Sequence, residues 1–190
     1  MKLYQIIEQW AQLYKPIQHN PDSKKDCAFY LIDSINKENG FVRNHNTCKS
    51  PCVAFSTVID AQVPNSLRSI SYQYVIYLLA RQPASTQSLK KIARTDEETA
   101  TDIKLELDGY VRELLNYLSD IRRTGRNPIT REAYDSETLA QLNGLQLDKA
   151  MWGSLPERYE SWWIVGLQLD LILPNSRCVN AENYIVTTQP

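Results

Sequence analysis

Three potential metal ligands lie close together in one polar stretch of the sequence. His45, Cys48 and Cys52 offer one imidazole and two thiolates, which are groups that bind Zn²⁺ in proteins. A structural zinc site needs four ligands, and a catalytic site needs three ligands and a water. Cys27 or Cys178 would have to approach this stretch to complete a four-ligand site. We therefore predict no metal site, and a small zinc-binding protein or enzyme centred on these three residues is kept as an alternative.

The sequence lacks the patterns that usually mark a catalytic site. It contains two histidines, His19 and His45, and both fall in predicted loops. It contains no nucleophile elbow, no phosphate-binding loop, no dinucleotide-binding glycine pattern and no zinc-protease helix motif. Its acidic residues lie mostly on the solvent side of a predicted long helix, where solvation explains them better than paired-carboxylate catalysis. We predict that the protein is not an enzyme and has no catalytic residues and no cofactor.

The basic cluster of the sequence comprises Arg122, Arg123, Arg126 and Arg131. These residues fall at the end of the predicted long helix and in the loop that follows it. Cations at a helix C-terminus complement the helix dipole, and solvation accounts for the rest. Alternatively, the four arginines contact an acidic neighbouring subunit or a passing nucleic acid. Because no aromatic residues alternate with them, we expect no sequence-specific nucleic-acid recognition.

Length and composition place these residues in an ordinary globular protein. The chain has 190 residues, of which 43% are hydrophobic and 23% charged, and its net charge is −1. This charge gives no reason to expect a membrane-surface protein, and no apolar run approaches the ~20 residues that span a bilayer. The N-terminal segment does not resemble a signal peptide, so the expectation is a cytosolic setting with reduced thiols. We predict one domain over residues 1–173 and an extended arm over 174–190.

Hydrophobic periodicity predicts two main helices and five strands. An amphipathic helix covers residues 3–14, and a long helix covers 95–124, beginning with a capping box. The SETLAQL segment is a candidate for a further short helix. The predicted strands cover residues 27–33, 52–63, 69–80, 145–152 and 160–173. The order α-β-β-β-α-β-β indicates an α+β fold, with a single mixed or antiparallel sheet packed by the long helix.

The final strand, WWIVGLQLDLILP, has two different faces. One face carries Trp163 and every second residue to Leu173, all of them apolar, and we expect it to pack against the long helix. The other face is apolar at its ends and polar in the middle. Trp162 and Ile164 lie on this second face. We predict that a neighbouring subunit covers them, because protein interfaces favour tryptophan.

These elements together resemble the tail-terminator and tail-completion proteins of tailed bacteriophages. The resemblance covers roughly residues 3–173 and rests on the order of the elements. The matching segments are LYQIIEQWAQLY, CAFYLID, CVAFSTVIDAQV, SISYQYVIYLLA, TDIKLELDGYVRELLNYLSDI and WWIVGLQLDLILP. The loop at 36–51 and the tail at 174–190 depart from the usual pattern of the family.

The resemblance implies a structural virion protein that forms a closed homo-oligomeric ring, as a head–tail connector or tail terminator. Such rings surround the channel through which DNA passes without sequence recognition, and they bind neighbouring portal, neck and tail proteins. Their arms clasp adjacent subunits, so Tyr184 of the tail would lie at a subunit contact. Assembly would take place in the bacterial host cytoplasm, and no membrane would be bound. A non-viral α+β adaptor that binds a protein partner is the other alternative.

Overall fold

The computed structural model describes residues 2–33, 49–57, 60–62, 69–81, 96–155 and 162–174. These residues form an α+β fold with a mixed sheet, which confirms the predicted fold class. The helices are α1 (Leu3–Leu13), α2 (Asp96–Thr124) and α3 (Ser136–Gly144). The strands are β1 (Phe29–Ile32), β2 (Cys52–Ser56), β3 (Asp60–Gln62), β4 (Ser69–Arg81), β5 (Met151–Ser154) and β6 (Trp162–Pro174).

The two long strands β4 and β6 form the centre of the sheet. They are antiparallel over their whole length, from the Ser69–Pro174 pair to the Arg81–Trp162 pair. The strand order is β1-β2-β4-β6-β5, and β3 also pairs with β4. β2 is antiparallel to β4 and β5 is antiparallel to β6, whereas β1 is parallel to β2. The described sheet therefore has β1 at one edge and β5 at the other.

The largest part of the core lies between α2 and one face of this sheet. The apolar stripe predicted for the long helix is buried throughout, at Ile103, Leu107, Val111, Leu114, Leu118 and Ile121. The helix packs on β6 and β4, where the predicted core face is buried at Val165, Leu167, Leu169 and Leu171. Full burial of one leucine side chain is worth about 1.5–3 kcal/mol, so this contact holds the helix on the sheet. The predicted packing of the long helix on this face is confirmed.

The strand predicted at 52–63 is wrong as a single element. The structure divides it into β2 and β3, which both pair with β4. Phe55 lies opposite Ile76 and Asp60 lies opposite Gln73. From β2 to β3 the sequence therefore advances five residues (55 to 60), whereas the paired residues of β4 are only three apart (76 to 73). Two extra residues offset the register, as in a bulge, and a run of β-branched residues does not reveal such an offset.

The strand predicted at 145–152 is also wrong in its extent. Residues Leu147–Lys149 form a 3-10 turn, and β5 begins only at Met151. Before this turn, Leu145 contacts β6 through an isolated antiparallel bridge with Leu171. Periodicity over so few residues does not separate a strand from a short helical turn. The predicted short helix at SETLAQL is confirmed as α3, whereas the predicted capping-box Thr95 lies outside the described residues.

Candidate assembly surfaces

Strand β5 is an exposed edge of the sheet. All four of its residues are exposed, and Met151 and Trp152 have 61% and 38% of their surface open to solvent. β5 pairs with β6 on its inner side, and no described strand pairs with its outer side. An edge of this kind presents backbone N–H and C=O groups that can pair with another chain.

The ladder between β5 and β6 fixes which backbone groups point outward. The Leu155 N–H donates to the Ile164 carbonyl at 2.9 Å, in the same register as the β5–β6 pairs. In an antiparallel ladder every second residue exchanges bonds with its partner strand, and the residues between them point the other way. Met151 and Gly153 therefore bond to β6. The N–H and C=O groups of Trp152 and Ser154 point to the outer side, where no described residue bonds them.

The Trp152 side chain is held against the long helix. Its indole N–H donates to Asp108 Oδ1 at 2.6 Å, and Arg112 Nε donates to Asp108 Oδ2 at 2.8 Å. The Arg112 guanidinium carbon lies 6.0 Å from the centre of the indole ring. The bonds from Trp152 and Arg112 lower the pKa of Asp108 below its ordinary value of 3.8, so the carboxylate is charged at neutral pH. The exposed tryptophan is thus fixed in one position beside the edge strand.

Strand β1 forms the opposite edge of the described sheet. The carbonyl of Ala28 accepts a bond from the Val53 N–H in β2, and the carbonyl of Ile32 accepts one from the N–H of Thr57, just after β2. By the alternation of a parallel pair, the backbone groups of Leu31 point away from β2. Leu31 is also 51% exposed. No described strand pairs with this edge at Leu31, although Phe29 and Ile32 in the same strand are buried.

The predicted subunit contact at Trp162 and Ile164 needs a correction. Their side chains are 0% and 1% exposed, so the chain itself covers them. The Arg81 guanidinium carbon lies 4.3 Å from the centre of the Trp162 ring. Leu79 and Cys52, which lie on the same face of the sheet, are also 0% exposed. This end of the second sheet face is a buried layer, and it offers no surface to a neighbouring subunit.

The arginines in the last turn of α2 are engaged in different ways. Arg122 donates from Nη1 to the Leu145 carbonyl at 3.1 Å, which ties the helix end to the segment before β5. Arg123 forms an exposed ion pair with Asp120 at 2.9 Å. Exposed pairs of this kind contribute little to stability, so Arg123 can exchange its partner for an anion at low cost.

The other two predicted arginines lie on a tight hairpin that follows α2. Arg126 forms an antiparallel bridge with Ala133, and its Nη1 donates to the Arg131 carbonyl at 3.2 Å. Arg131 has a positive φ of 67° at the hairpin turn. Both arginine side chains are exposed. The structure thus brings Arg126 and Arg131 together on one loop at the C-terminal end of the helix.

A buried asparagine fixes the shape of this hairpin. Asn127 is 1% exposed, and its amide nitrogen donates to the hydroxyls of Tyr117 at 2.8 Å and Tyr134 at 3.3 Å. Its Oδ1 accepts the backbone N–H groups of Ile129 and Thr130. Burial and the bond with Tyr134 raise the pKa of Tyr117 far above its ordinary value, so the phenol stays neutral. The arginines therefore project from a rigid loop.

The remaining predicted site residues lie mostly outside the described part of the chain. Tyr184, His45 and Cys48 fall there, and Cys52 is buried in β2. Among the described residues, no three histidine, cysteine, aspartate or glutamate side chains are grouped closely enough to hold a metal ion. The described helices also include none that is both long enough and apolar enough to cross a membrane.

Sequence reasoning missed β5 as the most exposed edge of the sheet. The available signal was the short run Met151 to Ser154, which has large apolar residues but no regular alternation with polar ones. Burial of an edge depends on tertiary contacts that the run itself does not contain. Comparisons with protein-family models, with curated proteins and with solved structures find no match for this chain.

Proposed function

We propose that this protein is a structural subunit that assembles edge to edge into a closed ring, as a neck or tail component of a tailed bacteriophage. The observation that carries the proposal is the open edge at β5, where all four residues are exposed. The resemblance of the chain to tail-terminator and tail-completion proteins supports the phage assignment. The virion would be its location after assembly.

The strand directions favour pairing between β5 of one copy and β1 of the next. β1 and β2 point the same way, β4 points the opposite way, β6 turns back, and β5 reverses again. β1 and β5 are therefore opposite in direction. If a second copy continues the sheet in the same orientation, its β1 is antiparallel to β5 of the first copy. Antiparallel pairs are slightly more stable per residue than parallel ones.

A contact between two different edges is heterologous. Each copy uses one edge to bind the preceding copy and the other edge to bind the next. Such a contact closes into a ring when its rotation divides a full turn, and it forms a filament otherwise. The right-handed twist of a sheet gives each added copy a rotation, so repetition of this contact does not produce a flat array.

Side chains on β5 add specificity to the backbone pairing. Met151 and Trp152 are large, apolar and exposed, and they lie beside the outward N–H and C=O groups. Tryptophan is among the residues that contribute most to interface energies when it becomes fully desolvated. The hydrogen bond from Trp152 to Asp108 holds the indole side chain in position before a second copy binds. This reduces the conformational entropy that the side chain loses on binding.

The exposed arginines give the subunit one cationic end. Arg123, Arg126 and Arg131 lie at the C-terminal end of α2 and on its hairpin. Guanidinium groups bind phosphate through charge and hydrogen bonds without reading bases. In a ring, these side chains would contact DNA as it passes through the channel or an acidic surface of a neighbouring portal or tail protein.

The same open edge favours a second candidate, a non-viral adaptor. An exposed strand can accept a strand from a different protein, which is a common mode of peptide recognition. The ring and the adaptor differ in whether the protein binds itself. The described residues give no support to the alternative of a zinc-binding protein or enzyme. Of its three candidate ligands, Cys52 is described, and it is buried within the sheet.

Native mass spectrometry of three proteins tests the ring proposal. We expect the unmodified chain to form a discrete closed oligomer. Ser154→Pro removes an outward N–H group and places a pyrrolidine ring at the edge, and edge strands tolerate proline. We expect this variant to be monomeric. Ser154→Ala keeps the N–H group and should form the same oligomer as the unmodified chain.

Circular dichroism of Ser154→Pro should match the unmodified chain, which shows that the variant is folded. A monomeric unmodified chain at its highest soluble concentration would contradict self-assembly and favour the adaptor. An oligomer that persists in folded Ser154→Pro would show that the copies associate through a surface other than β5.

A further inference from the structure

A small aromatic cavity lies between the last turn of α1, the C-terminal half of α2 and the hairpin that follows α2. It has a volume of about 180 Å³. The rings of Trp10, Tyr14 and Tyr117 line one part of it, and Ile129 of the hairpin lines another. Trp10 and Tyr14 are stacked, with ring centres 4.9 Å apart and an angle of 16° between the ring planes. The buried amide of Asn127 bonds to Tyr117 and to the Ile129 N–H, so two walls of the cavity are fixed relative to each other.

The polar side chains that line this cavity are acidic or neutral. They are Glu113, Asn116 and Asp120, and no described lysine or arginine lines it. Asp120 already has a cationic partner, because it is paired with Arg123 at 2.9 Å. Glu113 is exposed, and it forms no ion pair with any described residue. The Glu113 carboxylate is therefore available to a ligand.

Two further observations indicate a negative electrostatic potential at the cavity. Burial, followed by the charges of Glu113 and Glu106, raises the pKa of Tyr14 above its ordinary value of 10.0, so these carboxylates lie close enough to act on the phenol. The last turn of α1, which contributes Trp10 and Leu13, carries the partial negative charge of a helix C-terminus and contains no basic residue. Both effects favour a positively charged ligand.

We infer that this cavity binds an arginine side chain of another protein. A guanidinium group is planar, so it can stack on aromatic rings while it donates hydrogen bonds to a carboxylate. Aromatic rings attract a cation more strongly when water is excluded from the contact. The cavity is smaller than the ~300 Å³ at which pockets for drug-sized ligands begin, so it suits one side chain. The guanidinium would lie against the aromatic lining and donate to Glu113.

The surface beside the cavity favours a peptide over a free cation. Ile129 lines the cavity, yet 64% of its surface is open to solvent. A small guanidinium compound would leave most of this side chain in water, whereas an apolar residue next to the bound arginine can cover it. Burial of that apolar surface adds to the affinity. We therefore expect the partner to present an arginine with apolar neighbours.

This inference does not depend on the ring proposal. The residues that line the cavity belong to α1, α2 and the hairpin, and none belongs to β5 or β1. The partner can therefore bind a monomer or an oligomer through this site. The two proposals can fail separately.

Isothermal titration calorimetry of the full-length chain with three probes tests the inference. The probes are a blocked leucine–arginine–leucine tripeptide, the same tripeptide with citrulline in place of arginine, and blocked arginine alone. Citrulline has nearly the same shape as arginine but no charge, so we expect its tripeptide to bind at least about tenfold more weakly. Blocked arginine should also bind more weakly than the arginine tripeptide, because it does not cover Ile129. Ser154→Pro should bind each probe as the unmodified chain does.

Matched variants assign the binding to this cavity. Glu113→Gln removes the charge of an exposed side chain and keeps its size, and it should weaken binding of the arginine tripeptide about tenfold. Glu137→Gln changes an exposed glutamate on α3 outside the cavity and should leave the affinity unchanged. Ile129→Ser should weaken binding of the tripeptide and leave binding of blocked arginine the same. Circular dichroism should show that all three variants are folded.

The contrary results are distinct from one another. Equal affinities for the arginine and citrulline tripeptides would overturn the inference, as would equal effects of Glu113→Gln and Glu137→Gln. Failure of the folded chain to bind the arginine tripeptide at millimolar concentration would also overturn it. Equal affinities for the tripeptide and blocked arginine would overturn the assignment of the ligand to a protein.

Discussion

Strands β6 and β5 are neighbours in the sheet, and each carries a tryptophan with a different environment. Trp162 in the central strand β6 is 0% exposed and lies beneath the Arg81 guanidinium. Trp152 in the edge strand β5 is 38% exposed and is held by Asp108. The first side chain is surrounded by its own chain, whereas the second is ordered but accessible. The comparison indicates that β6 stabilises the fold, whereas β5 presents an ordered aromatic side chain to solvent.

The largest effect should separate the two tryptophans by stability. Trp162→Ala removes a fully buried side chain and should lower the free energy of unfolding by about 3–5 kcal/mol. Trp152→Ala removes an exposed ring and one hydrogen bond, and it should cost about 1 kcal/mol. Urea denaturation followed by circular dichroism measures both values. Equal losses for the two variants would contradict the distinction between the strands.

An intermediate effect should appear in assembly and not in stability. Met151→Asp places a charge on the exposed edge of β5 and should raise the dissociation constant of the proposed oligomer at least about tenfold, because an apolar contact is lost. Its free energy of unfolding as a monomer should change by no more than about 0.5 kcal/mol. Sedimentation velocity over a concentration series measures the first quantity. Leu105→Asp on α2 is the matched control, and an identical loss of assembly there would show that any added charge disrupts the oligomer.

The smallest effect concerns the pH dependence of the Trp152 position. The folded pKa of Asp108 is lowered, so its contribution is fully present above the ordinary value of 3.8 and is lost as pH falls through the lower folded value. We expect the fluorescence of Trp152 to change in that acid range. The variants Trp162→Phe and Trp163→Phe would reduce overlapping signals. If Asp108→Asn shows the same acid transition, protonation of a different group is responsible.

The sequence was most informative where one pattern determined one contact. The stripe from Ile103 to Ile121 repeats at helical period over several turns, and its burial follows from that repetition. The alternation from Val165 to Leu171 likewise predicted the core face of β6. Both patterns are long, so local propensity and tertiary packing agree along them.

The rest of the fold depends on contacts that no local pattern contains. The alternation of side chains along β6 showed that Trp162 lies on the face of the sheet away from α2. It did not show that the chain also covers this second face. The register offset between β2 and β3 arises from pairing with β4, which is distant in sequence. The exposed edge at β5 likewise reflects the final order of strands and not the composition of Met151 to Ser154. The sequence showed that four arginines lie close together, but it did not show that Arg126 and Arg131 share a hairpin held by Asn127.

The buried amide of Asn127 separates the shape of the hairpin from its charge. One internal side chain fixes the loop through Tyr117, Tyr134 and two backbone N–H groups. Arg126 and Arg131 project outward from that fixed loop. Substitutions of the two arginines can therefore change what the loop attracts while its backbone stays the same. Over evolutionary time, such a loop can change its surface charge one residue at a time, provided that the asparagine is kept.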